Sequence, residues 1–466
     1  MIHRYQKKGL NFVLDVNSGA VHLLDDISYA VSGLLDENMG DTCPQSIIDA
    51  LPDYTADEIR EAYDELYELK KAGQLFAQDD YIDVSRYIPV NAPVKALCLH
   101  VAHDCNLRCK YCFASTGDFG QGRKIMPPEI AKKAIDFVIA RSGVRHNIEV
   151  DFFGGEPLMA WDTVTQTVDY ARSLEEKYNK KFRFTITTNG LLLDEDKRKY
   201  INENMDNCVL SLDGRREVND EFRKTVAGTG SYDTIVPKFK ALVDERDPNL
   251  DYYARGTFTS HNLDFAEDVL SIADAGFDRL SVEPVTADPG CGYDLTEDDL
   301  PKIEAEYDRL TDIMLERKKE GKPFTFFHFM VDLDQGPCVV KRLRGCGAGY
   351  EYVAVTPDGD IYPCHQFVGK DEFKQGSVLD QSFNMDIAQK FAGMNIYSRP
   401  KCQKCWAKFY CSGGCSAANY NMNHDMNDSY DLGCEMERKR LECAIYLRQW
   451  IKFVQISRSD ELQKDT

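Results

Sequence analysis

Between about residues 93 and 290, short apolar runs alternate with helical stretches, and no other feature narrows the fold as far. The runs are "VKALCLHVAH", "NIEVDFFGG", "FRFTITTNG", "NCVLSLDG", "YYARGTFTS" and "RLSVEPV". They have the length and the β-branched and aromatic content of strands. Between them lie helical segments such as "PPEIAKKAIDFVIARSG", whose prolines suit a first turn. A strand that follows a helix pairs in parallel with its predecessor, because only a crossover reaches that position. Six such units predict an α/β domain over 93–320, curled into a partial (β/α)6, TIM-like barrel. The working face of such a sheet lies at the C-terminal ends of its strands.

Three polar motifs fall at those ends: Gly154-Gly155-Glu156-Pro157, Thr187-Thr188-Asn189-Gly190 and Ser211-Leu212-Asp213-Gly214. Each alone reads as turn chemistry. Together, at equivalent positions of successive units, they read as one site. The first strand runs into "DCNLRCKYCFA", which places Cys105, Cys109 and Cys112 close together with Tyr111 before the third. Protein thiolates usually hold all four irons of a [4Fe–4S] cluster. Three thiols would leave one iron free for a chelating molecule with an amine and a carboxylate. Zinc on three thiolates with a water or a His is the alternative. The spacing is short for a zinc ribbon, and no second pair lies at ribbon distance.

The charge, 56 − 77 = −21, argues against a phosphate-backbone partner, so no nucleic acid is expected. No apolar run is long enough to span a bilayer, and "MIHRYQKKGLNFVLDV" lacks a signal peptide's apolar stretch. A cytoplasmic location is therefore expected. There, clustered thiols read as metal ligands or catalysts rather than disulfides. Of the sixteen cysteines, Cys43, Cys98, Cys208, Cys291 and Cys443 are scattered and are expected to be small buried hydrophobes.

Residues 1–83 read as a separate winged-helix-like module. "NFVLDV" and "AVHLLD" are strand-like around an Asn17-Ser18-Gly19 turn, and "QLFAQ" is expected to be a last extended piece. "TADEIREAYDELYELKKAG" is a helix with a Thr55–Glu58 capping box, with Gly73 to end it. "TEDDLPKIEAEYDRLTDIMLERKKEG" is a long helix with Thr296 as its cap. Residues 336–450 read as a third domain, turn-rich and Cys-rich up to 434 and passing into the helical "RKRLECAIYLRQWIKFV".

The Cys105-x3-Cys109-x2-Cys112 motif with Tyr111, taken with "GGEP", "TTNG" and "SLDG", resembles the signature of radical S-adenosylmethionine (SAM) enzymes over residues 93–290. The resemblance implies a radical SAM barrel with catalytic Cys105, Cys109 and Cys112. These would hold a [4Fe–4S] cluster whose open iron takes SAM's amine and carboxylate. In that family, reductive cleavage yields methionine and a 5′-deoxyadenosyl radical, which abstracts a substrate hydrogen. By the same resemblance Gly154 and Gly155 admit the methionyl ammonium and Glu156 offers it a negative partner. Tyr111, Thr187, Asn189 and Ser211 would contact SAM, Asp213 would accept from its ribose hydroxyls, and Arg223 would bind its carboxylate. Relatives often carry His where this chain has Asn219.

The second field, Cys346-x12-Gly359-x4-Cys364, Cys402-x2-Cys405-x5-Cys411-x3-Cys415 and Cys434, is similar to the SPASM extension of radical SAM maturases. That similarity implies two auxiliary clusters, for three [4Fe–4S] clusters in all. Cys402, Cys405, Cys411 and Cys434 would hold one. Cys346, Cys364 and Cys415 would hold the other, one ligand short. Either Cys338 in "QGPCVV" completes it or the site is open to a substrate thiol, and the open site is the expectation. A zinc ribbon at 402–415 is the alternative.

As a whole the chain most resembles the thioether-forming maturases of Cys-rich SCIFF peptides. That implies a precursor peptide whose leader binds residues 1–83 as an added strand. It also implies an electron donor such as flavodoxin or ferredoxin, and a sulfur-to-carbon crosslink as product. An anaerobic sulfatase-maturing enzyme and a non-enzymatic metal-binding peptide scaffold are the other readings. The leader module speaks against the first and the SAM-pocket motifs against the second. No catalytic base stands out.

Overall fold

The computed structural model describes residues 1–87, 92–333 and 339–464. The chain opens with an antiparallel sheet of β1 (Ile2–Lys7), β2 (Leu10–Asp15) and β3 (Val21–Leu24), in that spatial order. Alternation on β2 points Val13 one way and Phe12 and Leu14 the other. Val13 joins Val31, Ile59, Tyr63 and Leu66 in a core belonging to residues 1–83. Phe12 and Leu14 join the main core of the molecule, with Phe12 edge-on to Tyr446 at 6.1 Å. The helix Ala56–Lys71 carries the expected capping box: the Thr55 hydroxyl accepts from Glu58 N, and the Glu58 carboxylate accepts from Thr55 N. "QLFAQ" forms no strand; after Gly73 the chain turns, and Leu75 anchors it in the small core.

The six expected strands are all present as β4 (Ala96–His103), β6 (Asn147–Gly154), β7 (Lys181–Thr188), β8 (Asn207–Ser211), β9 (Asp251–Phe258) and β10 (Arg279–Pro284). They pair in parallel, in sequence order. β5 (Lys124–Ile125) lies antiparallel to the end of β4. Beyond β10 the sheet gains β11 (Thr325–Phe326), and the curl stays open there. At the other edge β12 (Tyr352–Val355) pairs in parallel with β4. The antiparallel β13 (Asp360–Tyr362), β14 (Gly376–Ser377) and β15 (Ser382–Phe383) then continue outward. One sheet thus runs from the barrel into the Cys-rich region and brings that region beside the loop that leaves β4.

The long helix Asp431–Lys464 packs on Leu300–Lys319 and carries Tyr446 to the underside of β2. Lys439 pairs with Asp308 at 2.6 Å, and Lys7 reaches the same carboxylate. Among the described residues no helix is long and apolar enough to cross a membrane.

Candidate active site

The thiol loop leaves β4 at His103, and its backbone is tied down on both sides. Arg108 N donates to Lys224 O at 2.7 Å and Lys110 N to Phe222 O at 3.1 Å, which sets the loop against the segment bearing Arg223. On the other side Gly155 N donates to Ala102 O at 2.7 Å and Glu156 N to Asp104 O at 2.9 Å. These contacts require glycine. A Cβ at Gly155 would lie 2.1 Å from Asp104 O, and one at Gly117 would lie 2.6 Å from Cys105 Cβ. Gly117, at φ +104°, is a cradle residue that the motif reading missed.

A cavity of about 600 Å³ opens at the C-terminal ends of the strands. Cys105, Cys109, Cys112, Tyr111, Gly154, Gly155, Glu156, Thr187, Asn189, Ser211 and Arg223 all line it. Asn189 Nδ2 donates to Asn106 Oδ1 at 2.8 Å and lies 3.6 Å from Cys105 Sγ. The Glu156 carboxylate accepts from Leu158 N, Thr188 Oγ1 and Asn189 N at 2.8–3.0 Å, so it joins two of the motif loops. Burial nevertheless pushes this carboxyl up to about 7.

Asp213 lies behind the residues that line the cavity. It is fully buried, and the cavity is not lined by it. Its Oδ1 accepts from Thr257 N at 3.0 Å, and its Oδ2 accepts from Tyr111 OH at 2.6 Å and lies 3.0 Å from Arg223 Nε. These contacts aim Tyr111 and Arg223. Asn219, where relatives carry His, is buried and donates to Ser231 Oγ at 3.1 Å, holding the turn before Arg223.

Four acidic or basic residues that no motif signalled also line the cavity, Glu149 and Asp151 on β6 among them. Arg255 on β9 and Glu283 on β10 line it as an ion pair, with Arg255 Nε 3.0 Å from Glu283 Oε1. Burial alone would raise Glu283, but the Arg255 guanidinium outweighs it and holds the carboxyl down at about 2. Both occupy the period-2 face of strands whose other face is apolar core, and that alternation is the sequence signal that could have found them. The lining also includes His365 and Gln366, which directly follow Cys364.

The other thiols form two further groups. Cys402, Cys405, Cys411 and Cys434 line one cavity of about 320 Å³, although Cys434 is distant from the others in sequence. Burial pushes Cys364 up to about 12, and Cys415 and Cys346 are near enough to add to that rise. Cys338 lies outside the described residues. Of the scattered cysteines, Cys98, Cys208 and Cys443 are buried as expected, whereas Cys43 is only half-buried and Cys291 is exposed in a surface turn.

These residues fit the groups that the sequence implies. Burial raises Cys105 to about 12 and Cys109 to about 11, so as thiolates they need bound metal to stabilise them. Three thiols beside a glycine cradle, a carboxylate and a buried Arg suit an iron–sulfur cluster with an amino-acid chelate. Among the described residues no three His, Cys, Asp or Glu side chains gather tightly enough to hold a single metal ion; the thiols surround cavities instead.

Comparison with known proteins agrees. Residues 99–251 match the Radical SAM superfamily, and residues 346–406 match SPASM, an iron–sulfur cluster-binding domain. A cysteine-type anaerobic sulfatase-maturating enzyme of Clostridium novyi is 25% identical over 354 residues, covering 71% of this chain and 90% of that protein. The radical SAM cyclopropyl synthase TigE of Paramaledivibacter caminithermalis is 24% identical, over 71% of this chain and 70% of its own. In fold, the chain is similar to native anSMEcpe with bound AdoMet: TM-score 0.63, 20% identity, 78% of this chain and 100% of that one. It is also similar to Streptococcus suis SuiB bound to precursor peptide SuiA: TM-score 0.51, 17% identity, 92% of this chain and 97% of that one.

Proposed function

We propose, from the premise that this chain is a radical SAM enzyme with a SPASM extension, that it matures a ribosomally made, Cys-rich peptide by forming intramolecular thioether crosslinks. One observation carries the reading: a single cavity is lined both by the three thiols with their glycine cradle and by His365–Gln366, next to Cys364. A peptide in that cavity would meet the hydrogen-abstracting group and an auxiliary thiol set together. Relatives support action on a peptide, since SuiB was solved with its precursor SuiA and anaerobic sulfatase-maturating enzymes are near in sequence.

When bound, SAM and the cluster at Cys105, Cys109 and Cys112 supply the radical that removes a hydrogen atom from the acceptor carbon. The chain's own residues do the rest. Gly154, Gly155 and Gly117 would let backbone approach the methionyl part, and Arg223, aimed by Asp213, would bind its carboxylate. Tyr111, Thr187, Asn189 and Ser211 supply polar contacts, and the Arg255–Glu283 pair gives the peptide a fixed dipole to orient against. Crosslinking removes two hydrogens from the peptide: one leaves as an atom, the other as a proton and an electron. Cys402, Cys405, Cys411 and Cys434 would hold one auxiliary cluster and Cys346, Cys364 and Cys415 another, and such clusters would supply an acceptor for that electron. Flavodoxin or ferredoxin is the proposed donor for SAM cleavage, and residues 1–83 are the proposed leader-binding module.

The competing activity is oxidation of one peptide residue to formylglycine, the chemistry of the sulfatase-maturing type, whose members are among the relatives. Anaerobic reaction with the Cys-rich precursor, read by tandem mass spectrometry, decides. A loss of two hydrogens and one free thiol per crosslink is expected. A peptide that gains an aldehyde and keeps its other thiols would overturn the thioether reading.

A further inference from the structure

Ahead of Cys402 the chain buries a cation without the usual partner. Arg399 is 3% exposed. Its Nη1 donates to the Gly413 carbonyl and its Nη2 to Ser416 Oγ at 3.0 Å, both neutral acceptors. Its Nε is buried and has no hydrogen-bond partner among the described residues. A guanidinium removed from water in this way is costly unless negative charge meets it. The charges that face it most strongly come from Cys402, Cys411, Cys415 and Cys346, and no carboxylate is among them.

The placement is built in. The Arg399 carbonyl accepts from Cys402 N at 3.0 Å. Gly413 lies between Cys411 and Cys415, and Ser416 follows Cys415. At Gly413 a Cβ would meet Arg399 Nη1 at 2.2 Å, so glycine at this position makes room for the guanidinium. Gly413 also lines the cavity of the four thiols. Arg399 therefore stands at the junction of the two thiol sets and is bonded to the loop that serves both.

We propose that Arg399 is a positioning residue shared by the two auxiliary centres: its fixed charge offsets the thiolates of both sets, and its free Nε–H is a further donor available beside them. The inference rests on the cysteine assignments proposed above. Cluster potentials follow net charge and hydrogen bonds to sulfur. A neighbouring cation favours the more negative, reduced state, so Arg399 raises both auxiliary potentials and makes each a better acceptor of the electron that crosslinking releases.

The test uses the full chain, loaded anaerobically, as wild type, Arg399→Gln and Arg399→Lys. Iron and sulfide are counted, and midpoint potentials are followed by electron paramagnetic resonance. Arg399→Gln should keep its iron and show both auxiliary potentials shifted downward, with the SAM-site cluster unmoved. Arg399→Lys, which keeps the charge but not the fork, should return both toward wild type. Unchanged auxiliary potentials in a fully loaded Arg399→Gln would overturn the proposal. If Arg399→Gln cannot be loaded, Arg399→Lys decides: full iron at near wild-type potentials supports the role of charge, and a downward shift in it overturns that role. Auxiliary iron that survives both Cys402→Ala and Cys415→Ala would instead sink the cysteine assignments, a different result from either of these.

Discussion

Gly155 has no room for a side chain, because the obstacle is the Asp104 carbonyl oxygen, part of the backbone itself. Gly155→Ala should push the 154–156 loop off the thiol loop at about 1–3 kcal/mol, the usual range for overpacking. Calorimetric titration should then show SAM affinity weakened by roughly tenfold or more. Cys105, Cys109 and Cys112 face no such contest: replaced together by Ala, they should end 5′-deoxyadenosine production while roughly two thirds of the iron stays, because the auxiliary thiols are separate. Production that survives would show the radical site to be elsewhere. Glu156 adds a pH dependence. Its folded value, about 7, lies above the ordinary 4.5, so the stability it contributes is present at acid pH and is lost as pH rises through about 7. A cation seated beside it favours the ionised form, so SAM affinity should rise across that same range, and Glu156→Gln should flatten the rise. At this scale contiguous motifs were legible and isolated residues were not. Three thiols in one loop announce a ligand set, whereas Arg255, Glu283 and Arg399 take their meaning from neighbours that only folding supplies.

Elements were legible where their stabilisation is local. The helix Ala56–Lys71 declares itself by its capping box and one apolar stripe, and the six barrel strands by apolar runs between helices. β1 did not, because "IHRYQK" reads as polar; its Tyr5 and Lys7 are buried only because the C-terminal helix covers them and Asp308 pairs the ammonium. "QLFAQ" misled for the opposite reason: Leu75 is apolar because it plugs a core, not because it pairs with a strand. The same contrast predicts stabilities. Thr55→Ala removes one exposed cap and should cost about 1 kcal/mol. Phe12→Ala empties a fully buried position between two elements and should cost about 3–5 kcal/mol. Urea denaturation of the two variants should rank them in that order, and equal losses would show that the first sheet does not rely on the C-terminal helix.

For the whole molecule, the sequence suggested a beaded order of leader module, barrel and Cys-rich extension, but the parts share cores. Val16, just past β2, packs with Leu343, Ile396, Phe409 and the thiol-bearing Cys402. His3 stacks on Trp406 at 3.8 Å, and its Nε2 donates to Glu442 Oε1 at 2.9 Å. Asp79 holds Lys408 at 2.8 Å and Tyr397 at 2.5 Å. None of this was readable beforehand, since every contact joins residues hundreds of positions apart. It changes what removing residues 1–83 should do. The barrel thiols are fastened to β6 and to residues 222–225, not to the module, so uncoupled SAM cleavage should survive the deletion. The four-thiol cavity loses Val16 from the core that holds Cys402 and the ring stacked on Trp406, so its cluster should load poorly. The truncated chain should therefore bind the precursor's leader weakly, cleave SAM, and carry about one third less iron than the full chain, one cluster of three. Iron analysis and 5′-deoxyadenosine assays on the same preparation separate these outcomes. A truncated chain with its full iron would mean that the module only recognises peptide. One that loses SAM cleavage as well would mean that the barrel, too, depends on residues 1–83.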